Sequence, residues 1–288
     1  MSLVESLSKS SWISGFKTVP CRREKCRRWL TQRALDTRHV GITLEGKWYC
    51  SYRCVASVVE ENITRLLSTS SRRSGNSPRM PLGLMLVSRG YITEMDLKRA
   101  TEVMRRDGGE LGEILVTMGI ISERQVLATR AAQWGCPLFT PTTESQHVAI
   151  RLPPTLLHRC NMVPLHYSAT GKKLLMGFVD SIEYGALYAM EQVLGCKTHP
   201  CFITRAEMDA LMSLHDERAA SQEICFDDAM TTTEMTRVLC NQGIAINADR
   251  LSITRSRGYV WGRFTGANRS LDVLIRVGES APALLAIA

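Results

Sequence analysis

Pro81-Leu-Gly-Leu-Met-Leu-Val-Ser-Arg-Gly-Tyr-Ile-Thr-Glu-Met-Asp-Leu97 returns, 29 residues further on, as Glu110-Leu-Gly-Glu-Ile-Leu-Val-Thr-Met-Gly-Ile-Ile-Ser-Glu-Arg-Gln-Val126. Both copies share the skeleton x-Leu-Gly-x-x-Leu-Val-x-x-Gly-x-Ile-[Ser/Thr]-Glu-x-x-[Leu/Val]. Self-similarity at this period predicts a repeated helical hairpin. In each copy a short helix turns Leu and Val inward. It then stops at Gly90 or Gly119, the residue type suited to a left-handed C-cap. A second helix starts at Thr93 or Ser122. Ser122-Glu-Arg-Gln125 is a capping box, and Thr93-Glu-Met-Asp96 is a looser form of one. These second helices are expected to run to about Met104 and Gln133.

Outward from the repeat, the chain divides by composition. Leu67-Ser-Thr-Ser-Ser-Arg-Arg-Ser-Gly-Asn-Ser-Pro78 reads as a linker, rich in Ser and with nothing apolar to bury after its first residue. Before it, Val55, Val58, Val59, Ile63 and Leu66 recur at helical spacing. After the repeat comes mixed α/β patterning. A last unit has a helix carrying Met235, Val238, Leu239 and Ile246, then strands 251–256, 258–264 and 271–277. The expected organisation is a flexible N-terminus (1–16), a cysteine-bearing domain (17–66) and a linker (67–78). A tandem helical repeat (79–140), an α/β subdomain of the same domain (141–216) and a C-terminal helix-plus-hairpin unit (222–288) come after these. The fold class is therefore α+β, in several domains.

The cysteines fall into two groups. Cys136, Cys160, Cys196, Cys201, Cys225 and Cys240 are scattered among apolar stretches, where a thiol usually serves as a small core residue. Cys21-x4-Cys26 and Cys50-x3-Cys54 are two short-spaced pairs instead. Zinc takes four tetrahedral ligands, and two knuckles joined by a hairpin supply them. The stretch 41–49 reads as that hairpin. The second pair stands where a helix begins, and free N–H groups stabilise thiolate there. Four thiolates leave no open position for water, so the expected role is structural. Neither pair has the spacing of a redox Cys-x-x-Cys. This segment resembles treble-clef or FCS-type zinc ribbons over roughly 35 residues. Gly41-x4-Gly46-Lys47 imitates a phosphate-binding loop, but Trp48 occupies the place of the Mg²⁺-binding hydroxyl, so that reading is rejected.

The repeat, together with the segment up to Thr204, resembles the N-terminal domain of type II secretion and type IV pilus assembly ATPases, the MshE-type N-terminal domain. That pattern has two 24-residue motifs, each opening Arg-Leu-Gly and closing in Gln, with a five-residue spacer. Here the motifs are Pro81–Met104 and Glu110–Gln133. The similarity continues through Trp134-Gly-Cys-Pro137, Asn161-Met-Val-Pro-Leu165, a hairpin at 167–180, a helix at 181–195 and a strand to Thr204. The resemblance implies a protein partner in secretion or pilus machinery, and cyclic di-GMP as a possible ligand. The matching ligand positions are Leu82, Gly83, Leu86, Val87 and Gly90, then Leu111, Gly112, Leu115, Val116, Gly119 and Gln133. The opening Arg is Pro81 in one copy and Glu110 in the other, and the first closing Gln is Met104. Loss of Arg removes a bidentate grip on phosphate or guanine, and Glu110 repels a dianion.

Composition narrows the function classes. The net charge of +8 is concentrated between Lys17 and Cys54, where ten Lys/Arg face three Asp/Glu. That patch fits nucleic acid or an acidic protein surface, and equally a solvated face. Tyr259 and Trp261 beside Arg255, Arg257 and Arg263 suit either a stacking surface or an ordinary hairpin face. No apolar run reaches the ~18–20 residues of a membrane span, and 1–16 lacks a signal-peptide apolar core. No other enzyme motif appears. The sequence thus points to a cytoplasmic, non-enzymatic adaptor or regulator with structural zinc and a protein partner. Its alternatives are a cyclic di-GMP sensor and a nucleic-acid binder working through the basic ribbon.

Overall fold

The structure is a computed structural model that describes residues 18–31, 34, 40–68, 79–140, 150–219, 223–266 and 269–277. Of the linker read at 67–78, Leu67 and Ser68 end a helix, and 69–78, like 1–17, lie outside the described residues. The chain is α+β and forms two compact units, one from 1–68 with 224–288 and the other from 69–223. Two segments that read as independent domains in sequence, 17–66 and 222–288, thus close on one core. The reason is strand pairing that local patterning does not reveal.

In the first unit, β1 (Thr18–Pro20) and β2 (Trp29–Thr31) form a small antiparallel hairpin. Strands β3 (Ile42–Leu44) and β4 (Lys47–Tyr49) come next, joined by Glu45 and Gly46. Both turn residues have positive φ, +49° and +74°, as a two-residue type I′ turn requires. The Gly-x4-Gly-Lys stretch is therefore a hairpin. Helix α1 (Tyr52–Ser68) carries Val55, Val59 and Ile63 on its buried face.

The C-terminal part supplies β8 (Glu223–Phe226), α9 (Thr232–Ala245), β9 (Arg250–Ser256), β10 (Tyr259–Thr265) and β11 (Ser270–Arg276). These strands join the N-terminal hairpin in one sheet of order β4-β3-β9-β10-β11-β8. The seam is the parallel pairing of β3 with β9, Thr43 opposite Arg250 and Leu44 opposite Leu251. Helices α1 and α9 pack together over a shared core containing Val55, Ile63, Leu239, Leu251 and Phe264. Tyr52 presses so close to Gly243 that a Cβ there would lie 2.4 Å from its hydroxyl. That hydroxyl donates to the Ala248 carbonyl at 3.2 Å.

The second unit opens with the repeat: α2 (Leu82–Ser88), α3 (Glu94–Asp107), α4 (Leu111–Thr117) and α5 (Glu123–Trp134). The two hairpins pack reciprocally. A Cβ on Gly83 would meet Leu97 at 2.5 Å and Leu111 at 3.1 Å. At the equivalent Gly112 it would meet Val126 at 2.7 Å and Leu82 at 3.8 Å. Helices approach this closely only where a side chain is missing. Leu86, Ile92, Ala100, Leu115, Ile121 and Val126 form the core between them. The α/β part comprises α6 (Pro154–Cys160), β5 (Met162–Ser168), β6 (Lys173–Phe178), α7 (Tyr184–Leu194), β7 (Lys197–Phe202) and α8 (Arg205–Ala219). Its sheet has the order β5-β6-β7, with β5 antiparallel and β7 parallel to β6.

A four-thiol centre and the repeat cleft

The four N-terminal cysteines, 33 residues apart at their extremes, meet in space. The first knuckle turns at Lys25, whose φ is +65°. Cys26 N–H donates to the Arg23 carbonyl at 3.1 Å across it. The second knuckle turns into α1, with Cys54 N–H donating to the Ser51 carbonyl at 2.9 Å. The sulfurs of Cys21, Cys26, Cys50 and Cys54 lie within 4.8 Å of one another. Separations are 3.5 Å for Cys50–Cys54, 3.8 Å for Cys26–Cys50 and 3.9 Å for Cys54–Cys26.

Those distances identify the chemistry the set can perform. A disulfide needs sulfurs ~2.05 Å apart. A tetrahedron with metal–sulfur bonds of ~2.3 Å has sulfur–sulfur edges of roughly 3.8 Å. The separations among Cys26, Cys50 and Cys54 match the edges of that tetrahedron, and the Cys21 sulfur lies within 4.8 Å of each. The environment treats the thiols unequally. Burial, with hydrogen bonds that the Cys50 thiol donates toward Cys54, Cys26 and Cys21, pushes Cys50 up to about 12. Burial also acts to raise Cys54, but hydrogen bonds involving Ser51, Cys50 and Arg23 outweigh it and bring that thiol down to about 7. The start of α1 adds its positive end beside the second pair. Cys50 N–H points at the Cys21 sulfur, 3.5 Å away. A soft divalent cation fits this donor set, and zinc is the ion such four-thiolate sites usually hold.

The repeat motif residues have mostly structural surroundings. Leu86 and Leu115 are fully buried, and Gly83 and Gly112 are the close-packing positions described above. Leu82, Leu111, Val87 and Val116 are half-buried against the same core. Gly90 and Gly119 take φ of +71° and +70° at the ends of the short helices. Gln133 donates from Nε2 to the Met80 carbonyl at 2.7 Å. Thr93 with Asp96, and Ser122 with Gln125, form complete capping boxes, so the first is fuller than its sequence suggests.

Of these positions, Gly112 and Val116 line a cleft of about 260 Å³. Its remaining wall includes Glu113, Glu123, Arg130, Asp180 and Arg205. Arg130 is buried on α5, donates to the Val179 carbonyl at 2.9 Å and pairs closely with Asp180. It also lies 3.5 Å from Glu110. Arg205 bridges Asp180 at 2.8 Å and Glu113 at 3.2 Å. These pairs bind the repeat to the α/β part of the same unit. Sequence reasoning missed them, although a signal existed: Arg130 continues the buried stripe of Val126 and Leu127. Beside the repeat, Arg79 stacks on Trp134, its guanidinium carbon 3.7 Å from the ring centroid.

The C-terminal hairpin is an ordinary one. Trp261 is fully buried and donates from Nε1 to Asp272 at 2.8 Å, and Tyr259 is buried too. Neither ring is available for stacking on a base.

Comparison with known proteins places part of this chain. No family model matches it. It is 27% identical over 136 residues to the type IV pilus assembly ATPase PilB of Thermus thermophilus, covering 46% of this chain. The match spans 15% of that ATPase, so the chain corresponds to a small part of its relative's length. Among solved structures, MshE with cdg is similar at 22% identity and a TM-score of 0.39, over 48% of this chain and 99% of that one. The N-terminal domain of XpsE is similar at 23% identity and a TM-score of 0.34, over 46% and 92% respectively. Part of the chain is thus similar to a segment of a type IV pilus assembly ATPase. Among the described residues, no helix is long and apolar enough to cross a membrane.

Proposed function

We propose that this protein is a non-enzymatic adaptor or regulator of secretion or pilus machinery, acting in the cytoplasm. Its second unit docks on a protein component, and its first unit is held together by structural zinc at Cys21, Cys26, Cys50 and Cys54. The observation that carries the reading is the 27% identity to a pilus assembly ATPase, confined to 15% of that relative. The adaptor role rests on a segment of that kind sharing a chain with a second unit that carries the four-cysteine cluster. Co-purification of the full chain with the pilus or secretion components of its own bacterium tests it. Recovery of a defined component, competed by the N-terminal domain of the ATPase, is the expected result. Failure to recover any removes the adaptor reading.

Cyclic di-GMP sensing is the second reading, supported by the repeat and by the bound state of MshE. The cleft electrostatics weigh against it. Arg130 and Arg205 already pair with Asp180, Glu110 and Glu113, and Glu123 adds another carboxylate to the wall. A dianionic ligand would have to displace these partners. Calorimetry of the full chain with cyclic di-GMP is expected to give a flat trace, and micromolar or tighter binding would reverse the order of the two readings.

A further inference from the structure

A second cleft lies within the first unit, and the two knuckles build much of its wall. It holds about 1370 Å³. One side is Arg22 to Lys25, the complete stretch between Cys21 and Cys26. Another is Lys47, Trp48 and Tyr49, the strand β4 that leads directly into Cys50. Helix α1 adds Val58 and Glu61, and Asp249 and Arg250 join them where β9 begins. A backbone hydrogen bond ties the first two sides together, from Arg22 N–H to the Trp48 carbonyl at 3.0 Å. Both sides also run into the four-thiol cluster. Cys21 and Cys26 flank the first and Cys50 follows the second, so a metal ion held there fastens one to the other.

The lining selects the kind of partner. Small-molecule sites occupy roughly 300–1,000 Å³, so this volume suits a stretch of chain. Arg22, Arg23, Lys25, Lys47 and Arg250 set five positive charges against Glu24, Glu61 and Asp249. That excess attracts an acidic partner. The carboxylates are interspersed, Glu24 between Arg23 and Lys25 and Asp249 beside Arg250. A phosphate backbone is negative at every step, and these carboxylates repel it. The aromatic residues of the wall offer no face for a base. Trp48 is 6% exposed and Tyr49 2%, and the Trp48 indole N–H donates to the Val40 carbonyl at 2.9 Å. A peptide can set its carboxylates on the cations while its own N–H groups meet Glu24 or Glu61. Its apolar side chains then find Val19, Val40 and Val58, which also line the cleft. We infer that this cleft docks an acidic peptide segment of a partner protein, interspersed with apolar residues, and that the bound metal assembles it. The inference rests on the zinc reading of the four thiols, and it is independent of what the second unit binds.

Fluorescence anisotropy on the zinc-loaded full chain, with a labelled peptide of repeated Glu-Leu-Ser-Glu, tests it. Binding is expected at low salt and should weaken as salt rises. Repeated Lys-Leu-Ser-Lys should not bind, and repeated Glu-Ser-Ser-Glu should bind about 5-fold more weakly or worse. Lys47→Glu combined with Arg250→Glu should weaken binding by about 10-fold or more. Arg105→Glu, a charge reversal on the repeat, should leave it unchanged. Unchanged zinc content in each variant shows that the unit is intact. Chelation should abolish binding and added zinc restore it. A chain that holds zinc and does not bind the acidic peptide at low salt overturns the inference and leaves the zinc reading standing. A chain isolated without zinc removes both. Parent-like binding by the double variant overturns the inference, as does binding that persists undiminished once the metal is stripped. Tighter binding of oligothymidylate overturns it too, and would make the cleft a nucleic-acid site.

Discussion

Two glycines show how a single atom decides the packing of the repeat. A Cβ at Gly112 has no room against Val126, 2.7 Å away, whereas at Gly185 nothing lies within 4 Å. Gly112→Ala is therefore expected to destabilise the second unit by about 1–3 kcal/mol through overpacking. Gly185→Ala, in the first turn of α7, should be neutral or stabilising by up to about 1 kcal/mol. Paired urea melts read the difference, and equal midpoints would show that α4 can shift to accept a methyl group. Arg130 is the second residue of consequence. Arg130→Met leaves Asp180 with Arg205 as its remaining cation, and should cost about 3 kcal/mol as a broken, mostly buried pair. A loss below about 1 kcal/mol in the same melts would mean that water already screens the pair. The glycines were legible in sequence because they recur at one period. The ion network was not, because Asp180 and Arg205 are 50 and 75 residues from Arg130 and carry no local pattern.

Among the elements, the helix starts were the most readable, since a cap is a contact between residues three apart. Ser122→Ala should cost about 1 kcal/mol, seen as a lower melting midpoint of the second unit. Carboxylates at such sites tie stability to acid. Hydrogen bonds from Thr93 hold Asp96 below its ordinary value, and those from Thr231 do the same for Glu234. Hydrogen bonds from Thr198 lower Glu191, on α7, in the same way. A carboxyl with a depressed folded-state pKa adds stability that is fully present above its unfolded value, near 4. That contribution disappears as pH falls through the folded value. Denaturation midpoints should therefore be flat with respect to these groups from pH 5 to 7 and decline below about pH 4. A decline beginning above pH 5 would have to come from other groups. The hairpin turn at Glu45 and Gly46 was less legible, because a Glu at positive φ imitates no common turn signal and the flanking residues imitate a nucleotide loop.

For the whole molecule, sequence patterning predicts α9 and strands β9–β11 of the C-terminal segment to within a few residues, misses β8, and gives no hint of where they dock. The parallel seam of β3 and β9 joins Thr43 to Arg250 across two hundred residues. Side-chain periodicity says only that a strand is half-buried, never which strand lies beside it. That the four cysteines come together was legible, because knuckle spacing is local. Their energetic reach was not. Cys21 and Cys54 are part of the core that also contains Leu239, Leu251 and Val273. Metal analysis of a reduced preparation should find about one zinc per chain. Removing it should loosen the distant strands β9–β11 as well as the knuckles. Structural zinc contributes on the order of 10 kcal/mol or more to small folds. Hydrogen exchange with and without chelator should show protection lost in both segments of the first unit and kept in the repeat. Loss confined to residues 18–54 would mean that the sheet stands without the metal.

The interrupted layout of the first unit also imposes a schedule on the ribosome. The knuckles and α1 are synthesised first, but the strands that complete their sheet emerge only after the whole of Thr69–Glu223 has been made. At ordinary elongation rates that interval is on the order of 10–30 s, long enough for the repeat to fold meanwhile. The nascent half-unit must wait through it with an unpaired β3 edge and exposed thiols. Early capture of a metal ion by the two knuckles would shield those thiols from oxidation until β9 emerges.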